Sequence, residues 1–498
     1  MKKIILLMLT AALVALPVLS CAAEEDDNVR QPGDPGTVEG TDGTDDSGET
    51  APPGEEAEDA LTFPDLPDVN FGGYEFRILN TAEDQQPWIL KTLVVEEESG
   101  HILNDAIFRR NRRMEDRFGF NLVQRDFNSP ELVRDAVRRS IQAGSDDFDL
   151  AMTTALLALP MAQEGMLEMI DTIPYIDLSQ PWWDQDMNRD FSIGNRIFFS
   201  SGDFSFNQYS IAFGLLFNTQ LRADLGLDDP YQLVREGRWT LDRFAEMGRA
   251  ALRDLNGDGI FDYRDQWGLV SNAANYTISF MVGIGARYVV KDADDMPVLN
   301  INTQGFIDRF QTAYDILTEP WVYDYVRLAG SLRAPYMFMD NKGLFWSNPI
   351  HEAIVLRTME TDFGILPMPK LDEQQEHHIS ATASPHVMCI PITTADLART
   401  GIILEALSAE SRMTTLTFYF DIMLVNQMMN RDEDSGEMLD IIFANRVYET
   451  GRLLWNSQVA SPVAHAMRDF NRDIVSIVEA REAAATAVIQ ATINAFLN

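Results

Sequence analysis

Apolar and polar residues alternate along Tyr74-Glu75-Phe76-Arg77-Ile78-Leu79, directly after Phe71-Gly72-Gly73, and this period of two predicts a strand. The spacing becomes helical at Ile107, Phe108, Met114 and Phe118, with Asn104 as the expected cap. Asn121-Leu122-Val123 reads as a second strand. Ser129 then stands as N-cap with Pro130 at the first helical position, Leu132, Val133, Val137 and Ile141 face inward, and Gly144 is the stop. Phe148-Asp149-Leu150-Ala151-Met152 makes a third strand. Strand, helix, strand, helix, strand predicts a parallel sheet with crossover helices. Ligands bind such sheets at the carboxyl ends of the strands, which places the Thr153-Thr154 loop near a cleft.

Further along, the segment around Pro181-Trp182-Trp183-Asp184 is irregular and Ile211 to Phe217 reads as a strand. Thr240 caps a helix through Leu252, and another helix covers Phe306 to Leu317. Strands are expected at Gly343–Trp346, Phe363–Pro367 and His386–Ile390, and from Leu397 the pattern is mostly helical. No internal repeat is present.

The N-terminus carries a different pattern. An apolar run from Ile4 to Leu19 follows Lys2-Lys3, which together read as a secretory signal over residues 1–20. Leu19-Ser20-Cys21 resembles a bacterial lipobox, which implies lipidation of Cys21 and residence on the outer face of the cell membrane, held by the lipid alone. Residues 21–60 are rich in Asp, Glu, Gly, Pro and Thr, with Arg30 as the sole opposing charge, and read as a disordered, extended tether. The remainder, 61–498, exceeds the about 250–300 residues at which single cores stop growing, so two domains are expected. A net charge of -38 argues against nucleic acid and against direct adhesion to anionic lipid. Apart from Cys21, Cys389 is the other cysteine; it lies in the apolar run Val387-Met388-Cys389-Ile390 and reads as a buried structural residue.

Asp254 to Asp265 matches the EF-hand loop pattern. Oxygen donors Asp254, Asn256, Asp258, Asp262 and Asp265 sit at loop positions 1, 3, 5, 9 and 12, Gly259 is at the sharp turn, and Ile260 offers its carbonyl at position 7. Calcium is hard and takes six to eight oxygens, so this spacing predicts a structural Ca²⁺ site. Asp265 stands where Glu is usual, which weakens it.

The runs Asp177-Leu178-Ser179-Gln180-Pro181-Trp182-Trp183-Asp184, Asp228 to Leu241, Gln266-Trp267-Gly268 and Asp362 to Lys370 resemble the extracellular solute-binding lipoproteins of ABC importers, family 1, from about residue 62 onward. The resemblance implies an α/β, two-lobed fold of the periplasmic-binding-protein-like II type with crossover strands. It implies a monomer that captures a sugar or oligosaccharide and hands it to the permease subunits, without catalysis. The lobes are expected at 61–205 plus 335–385, and at 206–334 plus 386–498, the second carrying the calcium loop. Sugars present C–H faces to aromatic rings and hydroxyls to polar groups. On that ground Trp182, Trp183, Asp203, Asn207, Tyr209, Trp346 and Asn348 are the candidate ligand contacts, whereas Trp239 and Trp267 are expected in the core. Two other classes fit the sequence: a lipid-anchored glycoside hydrolase, which needs two facing carboxylates, and a calcium-stiffened adhesion protein.

Overall fold

The computed structural model describes residues 61–82, 93–326, 333–420 and 434–498. The expected leader, Cys21, the tether and Trp88 lie outside them. In chain order the first strands are β1 (Tyr74–Thr81), β2 (Phe120–Phe127), β3 (Leu150–Thr154), β4 (Phe213–Asn218) and β5 (Trp267–Ser271). A short hairpin, β6 (Val289–Lys291) and β7 (Pro297–Leu299), is followed by β8 (Val322–Asp324), β9 (Gly343–Pro349) and β10 (Phe363–Leu366). The last are β11 (Ser380–Ala381), β12 (His386–Cys389) and β13 (Arg446–Val447).

The first sheet has the order β12-β3-β1-β2. As the alternation predicts, β1 runs parallel to both β2 and β3. Phe76 and Ile78 pack with Met114 and Phe118 of the helix Ile102–Phe118 and with Ile403 and Leu407 of the helix Leu397–Glu410. Leu79 points the other way, into the cluster of Val133 and Val137 from the helix Pro130–Ala143. Both faces are thus covered by helices, as parallel sheets require. Ser129 accepts from Leu132 N and Gly144 takes the left-handed C-cap, so both helix signals hold. Asn104 does not cap: the helix begins at Ile102, and the Asn104 amide reaches back to the Glu97 carbonyl. Thr153 and Thr154 are the last residues of β3, paired with Val387 and His386, rather than a loop.

The second sheet has the order β10-β4-β9-β5-β8, with β4 antiparallel to both neighbours. The helices Leu241–Ala251, capped by Thr240 as expected, and Ala273–Gly283 contribute Phe244 and Phe280 to its core, 4.7 Å apart between centroids. This sheet corrects the expected lobe boundaries. β9 and β10 fall in 335–385 yet belong to the second sheet, and β12 falls in 386–498 yet belongs to the first. The physical reason is pairing: β9 is the only described strand with partners on both β4 and β5, so removing it would split the second sheet, while β12 closes the free edge of β3. The helix Leu397–Glu410 follows β12 into the first lobe.

Three segments lie side by side where the chain passes between the sheets. Ala383 N donates to Ile211 O (2.8 Å), His386 N to Asn207 Oδ1 (2.7 Å), and β11 pairs parallel with β13. The C-terminal helix Ile474–Leu497 bonds to both halves, through Gln163 to Thr492 (2.7 Å) on one side and Asn302 to Glu482 (2.6 Å) on the other. Residues 61–498 accordingly form one compact unit. Among the described residues no helix is long and apolar enough to cross a membrane.

Candidate ligand-binding cleft

The carboxyl ends of both sheets face one cavity of about 350 Å³. Leu156 lines it just beyond β3 and Ser384 just before β12; Asn272 follows β5 and Val326 follows β8. The third wall comes from the C-terminal helical region, with Arg452, Asn456, Ser461, His465 and Arg468. The site therefore sits where crossover topology leaves strand ends without a covering helix. A larger cavity, about 610 Å³, is lined by Asp186, Arg189, Asp190, Lys291 and Arg446. Its charges neutralise one another, as in Arg189–Asp186 at 2.7 Å and Arg189–Asp190 at 3.0 Å, and no end of the two large sheets opens into it.

The candidate contacts read from sequence are all placed elsewhere. Trp182 and Trp183 are each 2% exposed, and their indole N–H groups both donate to Glu405, at 3.0 and 2.9 Å. They are core of the first lobe and no ligand platform, because the helix carrying Glu405 covers them. Trp346 packs on Phe338 inside the second lobe. Asp203 and Tyr209 are buried together: the Tyr209 hydroxyl donates to Asp203 at 2.8 Å, and Arg412 lies 3.3 Å from the same carboxylate. Asn207 ties the two crossovers together through the bond to His386 N. Asn348 does not line the cavity either; it accepts from Asn275 in the first turn of the helix Ala273–Gly283, whose start does line it. Trp239 and Trp267 are core, as expected. Cys389 is buried, and burial raises its thiol pKa.

The lining residues Arg452, Asn456, His465, Arg468 and Thr277 were not singled out from sequence. His465 and Arg468 lie on the amphipathic helix Ala460–Arg468, where a polar residue facing a cleft has the same spacing as one facing water, while Asn456 lies in a turn and Thr277 on a mostly buried helix.

Burial pushes Asp203 up to about 7 from its ordinary 3.8, against the pull of Arg412. Burial likewise pushes Glu405 up to about 7 from 4.5. A carboxyl whose pKa is higher folded than unfolded binds its proton more tightly in the folded state. The stability this confers is full below the unfolded pKa and is lost as pH rises through about 7. The melting-temperature advantage of wild type over Asp203→Asn should therefore shrink between pH 5 and pH 8; an advantage that grows with pH would contradict the assignment.

No protein-family model and no curated protein matches the sequence. Solved structures do match. A cyclo/maltodextrin-binding protein complexed with maltotetraose is 14% identical, covering 84% of this chain and 97% of its own, with a TM-score of 0.55. An ABC substrate-binding protein from Listeria monocytogenes in complex with cycloalternan is 11% identical over 84% and 99%, TM-score 0.54. UgpB from Mycobacterium tuberculosis in complex with glycerophosphocholine is 13% identical over 85% and 99%, TM-score 0.54. The fold is that of the two-lobed substrate-binding proteins.

Within this binding-protein fold the Asp254–Asp265 loop hangs from the second lobe between the helix Leu241–Ala251 and β5. Its course is that of the calcium-loop pattern: Gly257 and Gly259 take positive φ, and Gly259 N donates to Asp254 Oδ2 at 2.8 Å. Asp265 is buried and accepts from Leu255 N and Asp262 N, closing the loop on itself. Arg264 bridges Asp258 at 3.0 Å and Asp262 at 2.7 Å. Among the described residues no three acidic, His or Cys side chains converge on one point. The side chains are oxygen donors of the kind calcium takes, and Arg264 occupies two of them, Asp258 and Asp262.

Proposed function

We propose that the protein is an extracytoplasmic receptor of an ABC importer that captures a sugar or oligosaccharide between its lobes and delivers it unaltered to a membrane permease. The observation that carries this is the pair of sheets whose carboxyl ends meet at one cavity across a three-segment hinge. Hinge closure over a guest is the motion such an arrangement permits. The proteins sharing the fold hold maltotetraose and cycloalternan, which supports a carbohydrate guest. Among the described residues the cavity lining contains no carboxylate, so it does not supply the facing acid pair of a glycoside hydrolase. The test is calorimetry and thermal shift over a glycan panel that includes maltotetraose and cycloalternan, with product analysis. Binding without turnover is expected, with a rise in melting temperature by mass action. Cleavage, or a melting temperature that no glycan moves, would remove the reading.

Export and lipidation at Cys21 belong to the same proposal, because a tethered receptor stays beside its permease. Calcium at the Asp254–Asp265 loop does too, as a structural ion held by Asp254, Asn256, Asp258, the Ile260 carbonyl, Asp262 and Asp265. Binding requires Arg264 to leave Asp258 and Asp262. At a hundredfold excess over Kd the ion should stabilise by about 3 kcal/mol. Chelator should lower the melting temperature of wild type and leave an Asp254→Ala, Asp258→Ala double variant unmoved; equal response of the two would exclude the site.

A further inference from the structure

The walls of the 350 Å³ cavity carry charge of one sign. Arg452, His465 and Arg468 all line it, in a chain of net charge -38. Arg468 is already neutralised by Asp469, at 2.7 and 2.9 Å, and His465 is exposed beside the same carboxylate. Arg452 differs. Its hydrogen bond is a long one, 3.5 Å, to the carbonyl of Thr382 in the hinge, and among the described residues no carboxylate lies within ion-pair distance of it. The nearby Glu449 is taken by Arg287 at 3.1 Å, and Asp324, the acid at the end of β8, is fully buried and accepts from Val326 N. Burial lowers the pKa of the Arg452 guanidinium, the signature of a cation without a counter-charge.

Two further donors face the same space. Thr277 is 1% exposed, lines the cavity, and its hydroxyl has no partner. The helix Ala273–Gly283 starts at the wall, so the N–H groups of Ala273 and Ala274, which have no intrahelical acceptor, add positive potential there. A half-buried cation without a counter-charge and a buried unpaired hydroxyl each cost stability unless something satisfies them.

We propose that this cavity receives the acidic group, carboxylate or phosphate, of a charged sugar, and that Arg452 is its counter-ion. The inference rests on the receptor reading above and narrows its guest. A guanidinium at the hinge floor would pair with such a group in a site shielded from salt, where charge-assisted bonds are strongest.

The test uses the full chain and matched probe pairs: trigalacturonate against galactotriose, and glucose 6-phosphate against glucose, by calorimetry. One acidic member should bind about tenfold or more tighter than its neutral partner, and which pair shows it separates carboxylate from phosphate. The preference should vanish in Arg452→Gln and persist in part in Arg452→Lys, which keeps the charge and controls for loss of the Thr382 contact. Thr277→Val should weaken the acidic probe without changing its salt dependence. Equal binding of charged and neutral members, or a preference that survives Arg452→Gln, overturns this proposal and leaves the receptor reading standing. Failure of both pairs and of the whole glycan panel counts against the receptor reading and this proposal together.

Discussion

Replacing Glu405 by Ala should destabilise the protein by about 3–6 kcal/mol, a loss at the upper end for a single side chain. The indoles of Trp182 and Trp183 both end on this carboxylate, and Asp177 N joins them at 3.2 Å. Glu405 itself is 1% exposed. Truncation leaves two buried indole N–H groups and the half-buried Asp177 N–H without their acceptor, at about 1–3 kcal/mol for each buried unsatisfied group, and opens a void beside two tryptophans. Glu405→Gln keeps the shape and offers one acceptor oxygen, so it should lose less. Urea or thermal unfolding reads both. An alanine variant within about 1 kcal/mol of wild type would show that water reaches the indoles, and the buried-anchor account would fail.

Gly401→Ala should cost about 3 kcal/mol or more. Gly401 lies inside the helix Leu397–Glu410, where alanine is normally favoured by about 1 kcal/mol. Here a Cβ would sit 1.9 Å from the Pro174 carbonyl oxygen, a backbone atom with no rotamer to move to. The helix would have to lift from the segment that holds Trp182 and Trp183. Gly436→Ala is the control: it lies in the helix Ser435–Ala444 with nothing within 4 Å, so it should be neutral or slightly stabilising. If the two variants melt alike, close packing at Pro174 is not what fixes this helix.

The local elements were legible because their signals are local. Ser129-Pro130 and Gly144 bound a helix by cap chemistry, Thr240 does the same, and alternation from Tyr74 marks β1. Partnership between strands was not legible. Gly343–Trp346 and His386–Ile390 are apolar runs, and an apolar run states that it is buried without stating in which sheet. The tryptophans failed as ligand contacts for a related reason. A ring reads as a sugar platform or as core with equal ease until its polar edge is followed, and the acceptor of Trp182 lies 223 residues away. Arg452 left no trace at all, since its distinguishing property is a partner it lacks in three dimensions. The calcium loop, by contrast, was visible because its donors and its glycine are consecutive in the chain.

Trp182, Trp183, Trp239, Trp267, Trp321, Trp346 and Trp455 are all at most 4% exposed, and none lines the cavity. Their emission consequently reports the integrity of the lobes and stays blue-shifted whether or not a guest is present. An optical assay of occupancy that does not rely on Trp88 is best served by a dye placed on the rim of the groove, because the seven described tryptophans look inward.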